Sequence, residues 1–385
     1  MSDLRYRTAG ESHGAALVVI VEGVPAGLPL DEAAIDAMLE RRQRGPGRSK
    51  RQEIERDRVE ILSGRKAGRA LGSPIALVIR NRDDSLERLP NPTVPRPGHA
   101  DLAGAQKLGA FDFRAVMERA SARETAARTA AGAVASILLG ELGIDVFGHV
   151  VEIGAAGAAR GDPLAADARE RRDRSPFFSL DAAADVRFAA AVEAAEKDGD
   201  TVGGIFEVVA RNVPPGLGGY MSRDERLDGR LGAALLSIPA VKGVEIGAGF
   251  AAARLAGSAV HDAIAHDPGR PFGGFHRRTN RAGGIEGGMT NGEPIVVRSA
   301  MKPIPTLRRG LASVDVATRA AAPATYQRSD VCSVPAASVV GEAAVAFELA
   351  RVVLEKLGGD AIGDVKAAYE GYRARLERLG GGESP

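Results

Sequence analysis

The stretch GESHGAALVVIVEGVPAGL, residues 10–28, decides the fold because the chain contains a second version of it. Residues 199–217 read GDTVGGIFEVVARNVPPGL, with two glycines at the same spacing, an apolar run of strand length and the same Val-Pro-x-Gly-Leu ending. A stretch that recurs in this way indicates a structural unit that is used twice. The sequence therefore predicts two related halves.

Four more pairs of segments follow in the same order. They are a helix candidate with an acidic start, a short strand, a strand opening with Gly-x-Pro-Ile, and a stretch with Arg first and Gly fourteenth, at 31–45 and 224–238, 59–64 and 244–249, 72–81 and 292–301, and 119–132 and 328–341. Together with the first pair, they predict a single domain over 1–385, made of halves at 1–150 and 195–360. Each half is expected to run strand–helix–strand–strand–helix.

Two long helices are predicted at 114–141 and 334–357, where helix-forming residues dominate and apolar residues cover much of the circumference. Helices of this kind are buried, and the predicted strands carry β-branched residues. We therefore predict an α+β fold, an internally duplicated β-α-β sandwich with central long helices between its sheets. The polar segment 155–185 is expected to be an exposed connection, and residues 380–385 a flexible tail.

The composition is that of an ordinary globular protein, with 44% hydrophobic and 26% charged residues in a chain of 385. The formal net charge of +1 gives no general reason to expect nucleic-acid binding. The single cysteine, Cys332, cannot form an internal disulfide, which fits a reducing compartment. We find neither a signal peptide nor an apolar run of membrane-spanning length, so we predict a cytoplasmic protein without membrane contact.

Several well-known binding motifs do not occur in the sequence. It lacks the phosphate-binding G-x-x-x-x-G-K-[ST] pattern and a G-x-G-x-x-G pattern after a strand. It also lacks C-x-x-C and H-E-x-x-H, and its six histidines do not follow metal-ligand spacing. We therefore predict no metal site.

The basic segment RRQRGPGRSKR, residues 41–51, has two interpretations. In the first, the segment is a solvated charge cluster at the end of a helix, where cations are favoured. Alternatively it is a loop, mobile without ligand, in which Arg42 and Arg48 bind phosphate or carboxylate through the guanidinium fork.

Two histidines stand in settings that favour a chemical role. His13 lies between the glycines of GESHG, and His99 lies in the turn PRPGHAD, residues 95–101, which proline and glycine make rigid. Histidine is the side chain that most readily exchanges a proton near neutral pH. The alternative for His99 is a buried histidine that the backbone satisfies.

Two further segments precede the predicted long helices. In ERASARET, residues 118–125, Ser121 either caps a helix or helps to hold an anion at the helix N-terminus. In QRSDVCSVP, residues 327–335, Asp330 either caps the second long helix or serves the site. The glycine-rich stretch 279–294 suggests that something flat or bulky approaches the backbone there.

Taken together, these segments resemble the chorismate synthase family. Nine stretches match in the family's order: AGESHG, RRQRGPGR, RPGHAD, ERASARETAAR, KDGDTVGG, VKGVEIG, TNRAGGIEGGMTNG, AMKPI and QRSDV. The departures are small, namely Pro46 between two glycines and Met289 before Thr290. No additional flavin-reductase segment is found, so the resemblance is to the monofunctional bacterial form.

The resemblance implies a lyase of the shikimate pathway, which leads to the aromatic amino acids. Members of the family eliminate phosphate from 5-enolpyruvylshikimate 3-phosphate by an anti-1,4-elimination and give chorismate. The expected cofactor is reduced FMN, used without net redox change. FAD and NADP are also associated with this flavoprotein family, and NADPH is expected only as an upstream reductant. The expected partners are an anionic small-molecule substrate, an external flavin reductase and three further copies in a homotetramer.

The resemblance also implies roles for individual residues. His13 would protonate the departing phosphate, His99 would protonate the reduced flavin, and Asp330 would assist removal of the ring proton. Ser12, Arg42 and Arg48 are expected on the substrate side, although the two arginines are alternatively NADP-binding. The expected FMN contacts are Arg119, Ala120, Ser121, Pro239, Ala240, Gly287, Lys302, Pro303, Ile304, Pro305, Thr306 and Arg328.

The repeat indicates that the role expected of His13 is present in only one half of the chain. Val202 occupies in the second half the position that His13 has in the first, so only one copy keeps the imidazole. Two other classes of protein stay open at this point. One is a nucleic-acid-binding protein that uses the basic residues of 41–58. The other is a flavin-dependent oxidoreductase with net redox chemistry.

Overall fold

The computed structural model describes residues 3–49, 55–324, 326–327 and 329–380. The strands are Arg5–Ala9 (β1), Ala16–Glu22 (β2), Val59–Ile61 (β3), Arg65–Lys66 (β4), Arg69–Ala70 (β5), Ile75–Arg80 (β6), Asp145–Ile153 (β7), Gly204–Arg211 (β8), Val241–Ile246 (β9), Ile264–His266 (β10), Phe275–Arg277 (β11), Ile285–Glu286 (β12), Met289–Thr290 (β13), Ile295–Met301 (β14), Ala312–Val314 (β15) and Ala321–Pro323 (β16).

The α-helices are Glu32–Gln43 (α1), Asp101–Leu108 (α2), Phe113–Arg119 (α3), Thr125–Gly140 (α4), Ala168–Arg174 (α5), Ala182–Lys197 (α6), Leu227–Leu236 (α7), Gly249–Ala252 (α8), Gly257–Val260 (α9), Val334–Leu357 (α10) and Ile362–Gly380 (α11). Short 3-10 turns lie at Leu86–Arg88, Ala122–Glu124 and Arg223–Glu225. Within the described ranges, no helix has both the length and the apolar character needed to cross a membrane.

Two four-stranded antiparallel sheets form the outer layers, and their strand orders correspond. The first sheet has the order β1-β2-β6-β3 and the second β7-β8-β14-β9. The two versions of the repeated stretch supply β2 and β8, and the two Gly-x-Pro-Ile segments supply their neighbours β6 and β14. The predicted duplicated sandwich is therefore confirmed. The residue boundaries 1–150 and 195–360 for the halves stay a prediction.

The two long helices fill the space between the sheets. Helix α4 packs on β2 and β6, α10 packs on β7 and β8, and the two helices pack against each other. Their contact is close because Gly132 of α4 faces the backbone of α10 at Ala343. Alanine and valine dominate the buried face of both helices, which suits this short separation.

The second long helix has the predicted bounds, whereas the first does not. Residues 334–357 form α10, and Gly358 follows it with a positive φ of 67° that ends the helix. The predicted helix 114–141 is instead divided into α3, a 3-10 turn and α4. The break lies at Ser121, where ψ of 142° is extended and the hydroxyl accepts a hydrogen bond from the Arg123 amide.

The prediction that 155–185 is an exposed connection is wrong for residues 168–180, whereas 155–167 contains no buried residue. Phe177, Phe178 and Leu180 of this segment are buried, and so is Ala168 in α5. The physical reason is the outer face of the second sheet, where β7 and β8 present the apolar cross-strand pair of Phe147 and Val209. This pair needs cover, and Ala168 and Leu180 supply it. The predicted tail 380–385 lies outside the described residues except for Gly380 at the end of α11.

A buried ion cluster joins helices α1, α5 and α10 to strand β7. Glu342 of α10 accepts hydrogen bonds from Arg41 at 2.6 and 3.0 Å, from Arg172 at 2.9 Å and from the Gly148 amide at 2.8 Å. Burial disfavours the carboxylate, but the two arginines outweigh it and lower the pKa of Glu342 to about 2. The cluster satisfies charges that would otherwise be costly to bury.

The close contact of α4 and α10 gives a matched pair of substitutions. In Gly132→Ala the added methyl would lie 2.4 Å from the Ala343 Cβ, so we expect a loss of about 1–3 kcal/mol in the free energy of unfolding. Gly140 ends the same helix with no other atom within 4 Å of such a methyl. Gly140→Ala should therefore raise stability by up to about 1 kcal/mol. Urea unfolding of both variants tests this, and equal effects would contradict the packing described.

Removal of the Glu342 charge should give a pH-dependent loss of stability. The folded pKa lies below the unfolded value, so the ion cluster stabilises the fold at neutral pH and loses this effect as the pH falls from about 4.5 towards 2. We expect Glu342→Gln to cost about 3–5 kcal/mol at pH 7, because two arginines lose their buried partner. The difference from wild type should shrink in acid. Denaturant unfolding at stepped pH measures it, with the exposed Glu87→Gln as control.

Candidate active site

A cavity of about 370 Å³ lies where the loops of both halves meet. Its lining includes the β1–β2 loop, the segment after α1, the turn before α2, the break before α4, the α7–β9 loop, the segment after β14 and the first turns of α10. The volume falls within the usual range of small-molecule sites, about 300–1,000 Å³. Most residues predicted from the sequence are found here, namely Ser12, His13, Arg42, Arg48, His99, Ala120, Ser121, Pro239, Ala240, Lys302, Ile304, Pro305, Thr306 and Asp330.

Three of the residues predicted to contact FMN are not part of this lining, and a fourth lies outside the described residues. Arg119 is exposed, and its guanidinium turns back to donate hydrogen bonds to the Gly10 and Thr8 carbonyls at 2.9 and 3.1 Å. Pro303 is exposed, and Gly287 lies exposed in the turn of the β12–β13 hairpin. The fourth is Arg328.

Gly283, Gly284 and Gly288 pack against the backbone of the same chain, whereas the place of a Cβ at Gly287 is open space. A Cβ at Gly283 would meet the Gly247 amide nitrogen at 2.3 Å, and one at Gly288 would meet the Gly219 carbonyl at 2.6 Å. The expectation that these three glycines admit something bulky to the backbone is therefore corrected. The bulky neighbour is the protein's own backbone.

His13 is held by a buried carboxylate. Its Nδ1 lies 2.7 Å from Glu118 Oε2, and the same oxygen accepts from the His13 amide at 3.0 Å. Arg114 donates to the other oxygen of Glu118 at 3.0 Å. Burial disfavours ionised Glu118, but the hydrogen bonds and charges of His13 and Arg114 outweigh it, so its pKa is lowered.

His99 has the same arrangement in the Pro/Gly turn. Its Nδ1 lies 2.5 Å from Asp101 Oδ1, and Arg96 donates to both Asp101 oxygens, at 2.8 and 2.9 Å. The turn itself closes with the His99 amide donating to the Arg96 carbonyl. The pKa of the buried Asp101 is strongly lowered, because hydrogen bonds from His99 and Arg96 outweigh the cost of burial.

Asp330 forms an ion pair with Arg48, Nη1 to Oδ2 at 2.7 Å. Its two oxygens also accept from the Ser49 amide and the Ser333 hydroxyl, each at 2.7 Å. The alternative that Asp330 caps the second long helix is wrong, because Ser333 occupies the cap position of α10. Asp330 instead joins the segment after α1 to the start of α10.

The interpretation of 41–51 as a solvated cluster or a mobile loop fails at its first residues. Arg42 is 4% exposed and belongs to α1. It donates to Thr125 Oγ1 at 3.0 Å, to Asp57 Oδ2 at 3.2 Å and to the Ala122 carbonyl at 3.1 Å. Burial lowers its pKa to about 10. Arg42 therefore holds the break before α4 in place.

Sequence reasoning missed four residues of the site. Arg96, Glu118 and Arg123 lie inside stretches that were already singled out, so a signal existed, whereas Arg114 carried none. Arg123 donates to Asp57 Oδ1 at 2.6 Å and to Asn81 Oδ1 at 3.0 Å. Its Nη2 is buried at the cavity and, in the part of the chain that the structure describes, makes no hydrogen bond, as is also true of Arg48 Nε. Two buried N–H groups of this kind favour an anionic ligand.

Lys302 adds a cation of a different kind. Its Nζ donates to the Gly98 carbonyl at 3.0 Å, and none of the described carboxylates forms an ion pair with it. Burial and the nearby Lys242 charge lower its pKa. The Lys302 amide donates to the carbonyl of Ala240, which has a positive φ of 70°. Ile238, Pro239 and Ile304 complete this mainly apolar part of the lining.

The chain is similar to known proteins in sequence and in fold. A family model described as chorismate synthase matches residues 4–354. The chain belongs to the chorismate synthase family. It is 55% identical over 368 residues to the chorismate synthase of Moorella thermoacetica, covering 93% of this chain and 95% of that protein. It is likewise 55% identical over 372 residues to that of Desulforudis audaxviator, covering 93% and 94%.

A crystal structure of a chorismate synthase has a TM-score of 0.81 to this chain at 44% sequence identity. The match covers 97% of this chain and 98% of that one. Membership therefore extends over both sheets and the central helices, and it includes every element that lines the cavity.

The only cysteine gives a test of how tightly the region beside the cavity is packed. Cys332 is buried two residues after Asp330, and burial raises the pKa of its thiol to about 11. We expect a thiol reagent at pH 8 to react with the native protein at least about a hundredfold more slowly than with the unfolded chain, because the thiolate is the reactive form. Stopped labelling followed by mass measurement tests this. Equal rates would show that the segment opens freely.

Proposed function

We propose that this protein is a chorismate synthase of the shikimate pathway, which eliminates phosphate from 5-enolpyruvylshikimate 3-phosphate with reduced FMN and without net redox change. The observation that carries the proposal is the presence of two histidines, each backed by a carboxylate, in one cavity lined by arginines. Family membership supports the same conclusion.

The charges of the lining suit this substrate. It carries a phosphate and two carboxylates, so a site for it needs several cations. Arg48, Arg96, Arg114, Arg123 and Lys302 all line the cavity. Their carboxylate partners hold most of them in place. Among the described residues, Arg48 Nε and Arg123 Nη2 have no hydrogen-bond partner, although Nη2 lies 3.8 Å from Glu55 Oε2, and they are the donors that an anion would satisfy. Arg42 is already bonded to three oxygens, so Arg48 is the better candidate for ligand contact than Arg42.

The residues present also fit reduced FMN. The cavity combines an apolar portion suited to a flat ring, at Ile238, Pro239 and Ile304, with cationic groups suited to phosphate. These are Lys302, which forms no ion pair with a described carboxylate, and the buried N–H groups of the arginines. Ala120, Ser121, Ala240, Pro305 and Thr306 would be the further contacts in this set. When bound, reduced FMN supplies electron density transiently while the phosphate is lost.

The protein's own groups then handle protons. His13 holds its Nδ1 hydrogen against Glu118, so Nε2 delivers a proton to the departing phosphate. Ser12, buried beside it, assists the same group. His99 holds a proton at Nε2 towards the flavin site. Asp330 has accepted three hydrogen bonds, and a carboxylate has about four acceptor positions, so it can still assist removal of the ring proton.

The finer features of the proposal concern the protein in its cell. We infer a homotetramer in the cytoplasm that receives reduced flavin from a separate reductase, with NADPH acting upstream. These features follow from the family resemblance, and size determination in solution together with assays with and without an added reductase would test them.

Activity should depend on both histidines. We expect phosphate release from 5-enolpyruvylshikimate 3-phosphate under anaerobic conditions with photoreduced FMN. His13→Ala and His99→Ala should each lower turnover by roughly tenfold to a thousandfold, with folding intact, because each removes a proton donor. His261→Ala, which changes an exposed histidine outside the cavity, is the matched control and should keep wild-type turnover.

Reductant stoichiometry and a nucleic-acid binding titration distinguish the proposed lyase from the two other classes of protein. An oxidoreductase would consume one reductant per turnover, whereas the lyase consumes none. Tight nucleic-acid binding that weakens steeply with salt would favour a nucleic-acid-binding protein. If wild type releases no phosphate, or both histidine variants turn over at the wild-type rate, the proposed function or its proton donors are wrong.

A further inference from the structure

We infer that Glu118 and Asp101 are positioning residues, which fix a hydrogen on Nδ1 of His13 and His99 and so confine the mobile proton of each imidazole to Nε2. The inference rests on the proposed function. It concerns residues that act through the histidines.

Both carboxylate oxygens of Glu118 face hydrogen-bond donors. It is 3% exposed, and its Oε2 faces two donors on His13, the amide and the ring Nδ1. Its Oε1 faces Arg114 Nη1 at 3.0 Å. With arginine on one side, the carboxylate stays ionised, so the ring nitrogen facing it must carry a hydrogen. The Ser12 amide also donates to the Glu118 carbonyl, which ties the β1–β2 loop to α3.

Asp101 repeats this arrangement for His99. It is 1% exposed and accepts from the Arg96 amide at 3.0 Å, from Arg96 Nε at 2.8 Å and from Arg96 Nη2 at 2.9 Å. His99 Nδ1 lies 2.5 Å from Oδ1. Arg96 Nη2 also lies 3.0 Å from this Nδ1, a contact in which the ring nitrogen would have to accept. The Asp101 oxygen is closer to Nδ1, and the three donors of Arg96 keep Asp101 ionised, so we assign the Nδ1 hydrogen to the bond with Asp101.

The consequence is that each imidazole ring has a single tautomer when it is neutral. With Nδ1–H donated to the carboxylate, the neutral ring has its lone pair on Nε2, and the protonated ring adds its hydrogen there. Both histidines line the cavity. His13 Nε2 lies 3.7 Å from Asp83 Oδ2, which is within ion-pair distance but beyond hydrogen-bond range. Nε2 therefore exchanges protons with the cavity.

The molecule contains a third group of this kind away from the cavity, which serves as a control. Glu207 of β8 lies 3.0 Å from His149 Nε2 and accepts from Arg298 Nε at 2.7 Å. Here the carboxylate holds the opposite ring nitrogen, and His149 Nδ1 is buried and makes no hydrogen bond in the part that the structure describes. A histidine–carboxylate–arginine group alone is thus not a sign of catalysis. Access of the free nitrogen to the cavity distinguishes the other two groups.

Amide substitutions disturb these groups with little change of shape. In Glu118→Gln the NH2 group must face either Arg114 or the donors of His13, and in Asp101→Asn it must face Arg96 or His99. Each variant therefore places a donor against a donor, and the ring is released from its fixed tautomer. The same conflict arises in Glu207→Gln, between Arg298 and His149.

A double-mutant cycle tests whether Glu118 acts through His13. Glu118→Gln should lower turnover about ten- to a hundredfold in the wild-type background, but less than about twofold further in the His13→Gln background. Asp101→Asn should behave likewise with His99→Gln. Glu207→Gln should keep wild-type turnover although it disturbs a buried ion pair. An equal loss with and without the histidine would overturn the inference, since a merely structural effect is additive.

A measurement on the unaltered carboxylates guards against variants that do not fold. In wild-type protein labelled with ¹⁵N-histidine, the neutral forms of His13 and His99 should show Nδ1–H and an unprotonated Nε2, assigned by loss of signal in His13→Gln and His99→Gln. His149 should show the opposite tautomer. An Nε2–H tautomer at either cavity histidine would overturn the inference. Absence of wild-type turnover with normal tautomers would instead count against the proposed function.

Discussion

The fold depends on the close contact between the two central helices, α4 and α10. Gly132 lets the backbone of α10 at Ala343 approach. Thr125 at the start of α4 and Ala336 near the start of α10 both line the cavity. Two helix N-termini, each with partial positive charge, thus face the same space. The favourable environment for anions is therefore partly a property of the backbone.

The charged side chains around the cavity hold one another in position before any ligand arrives. Glu118 lies between His13 and Arg114, Asp101 lies between His99 and Arg96, and Asp330 pairs with Arg48. Paired charges of this kind keep side chains ordered, which is a requirement for electrostatic stabilisation of a reaction. A count of arginines overstates the positive charge that a ligand meets, because the acids cancel much of it.

The sequence was informative wherever local pattern determines structure. The repeated strands, the bounds of α10 and the two histidines of the cavity could all be predicted. Contacts that depend on distant partners could not. The burial of Arg42 requires Asp57 and Thr125, and the burial of Leu180 requires the apolar outer face of β7 and β8. Within one motif, the break at Ser121 directs Arg119 outwards and Arg123 inwards, a distinction that residue type alone does not contain.

Val202 shows where the resemblance of the two halves ends. At the place equivalent to His13, its amide donates to the Val331 carbonyl, and it forms a β-bridge with Cys332 and packs close to Gly154. The space that surrounds the imidazole in one half is taken in the other by an aliphatic side chain. Shape alone therefore restricts position 202, where another small aliphatic residue would serve. Position 13 needs a side chain that can transfer a proton. We therefore expect different sets of residues to be accepted at the two equivalent positions.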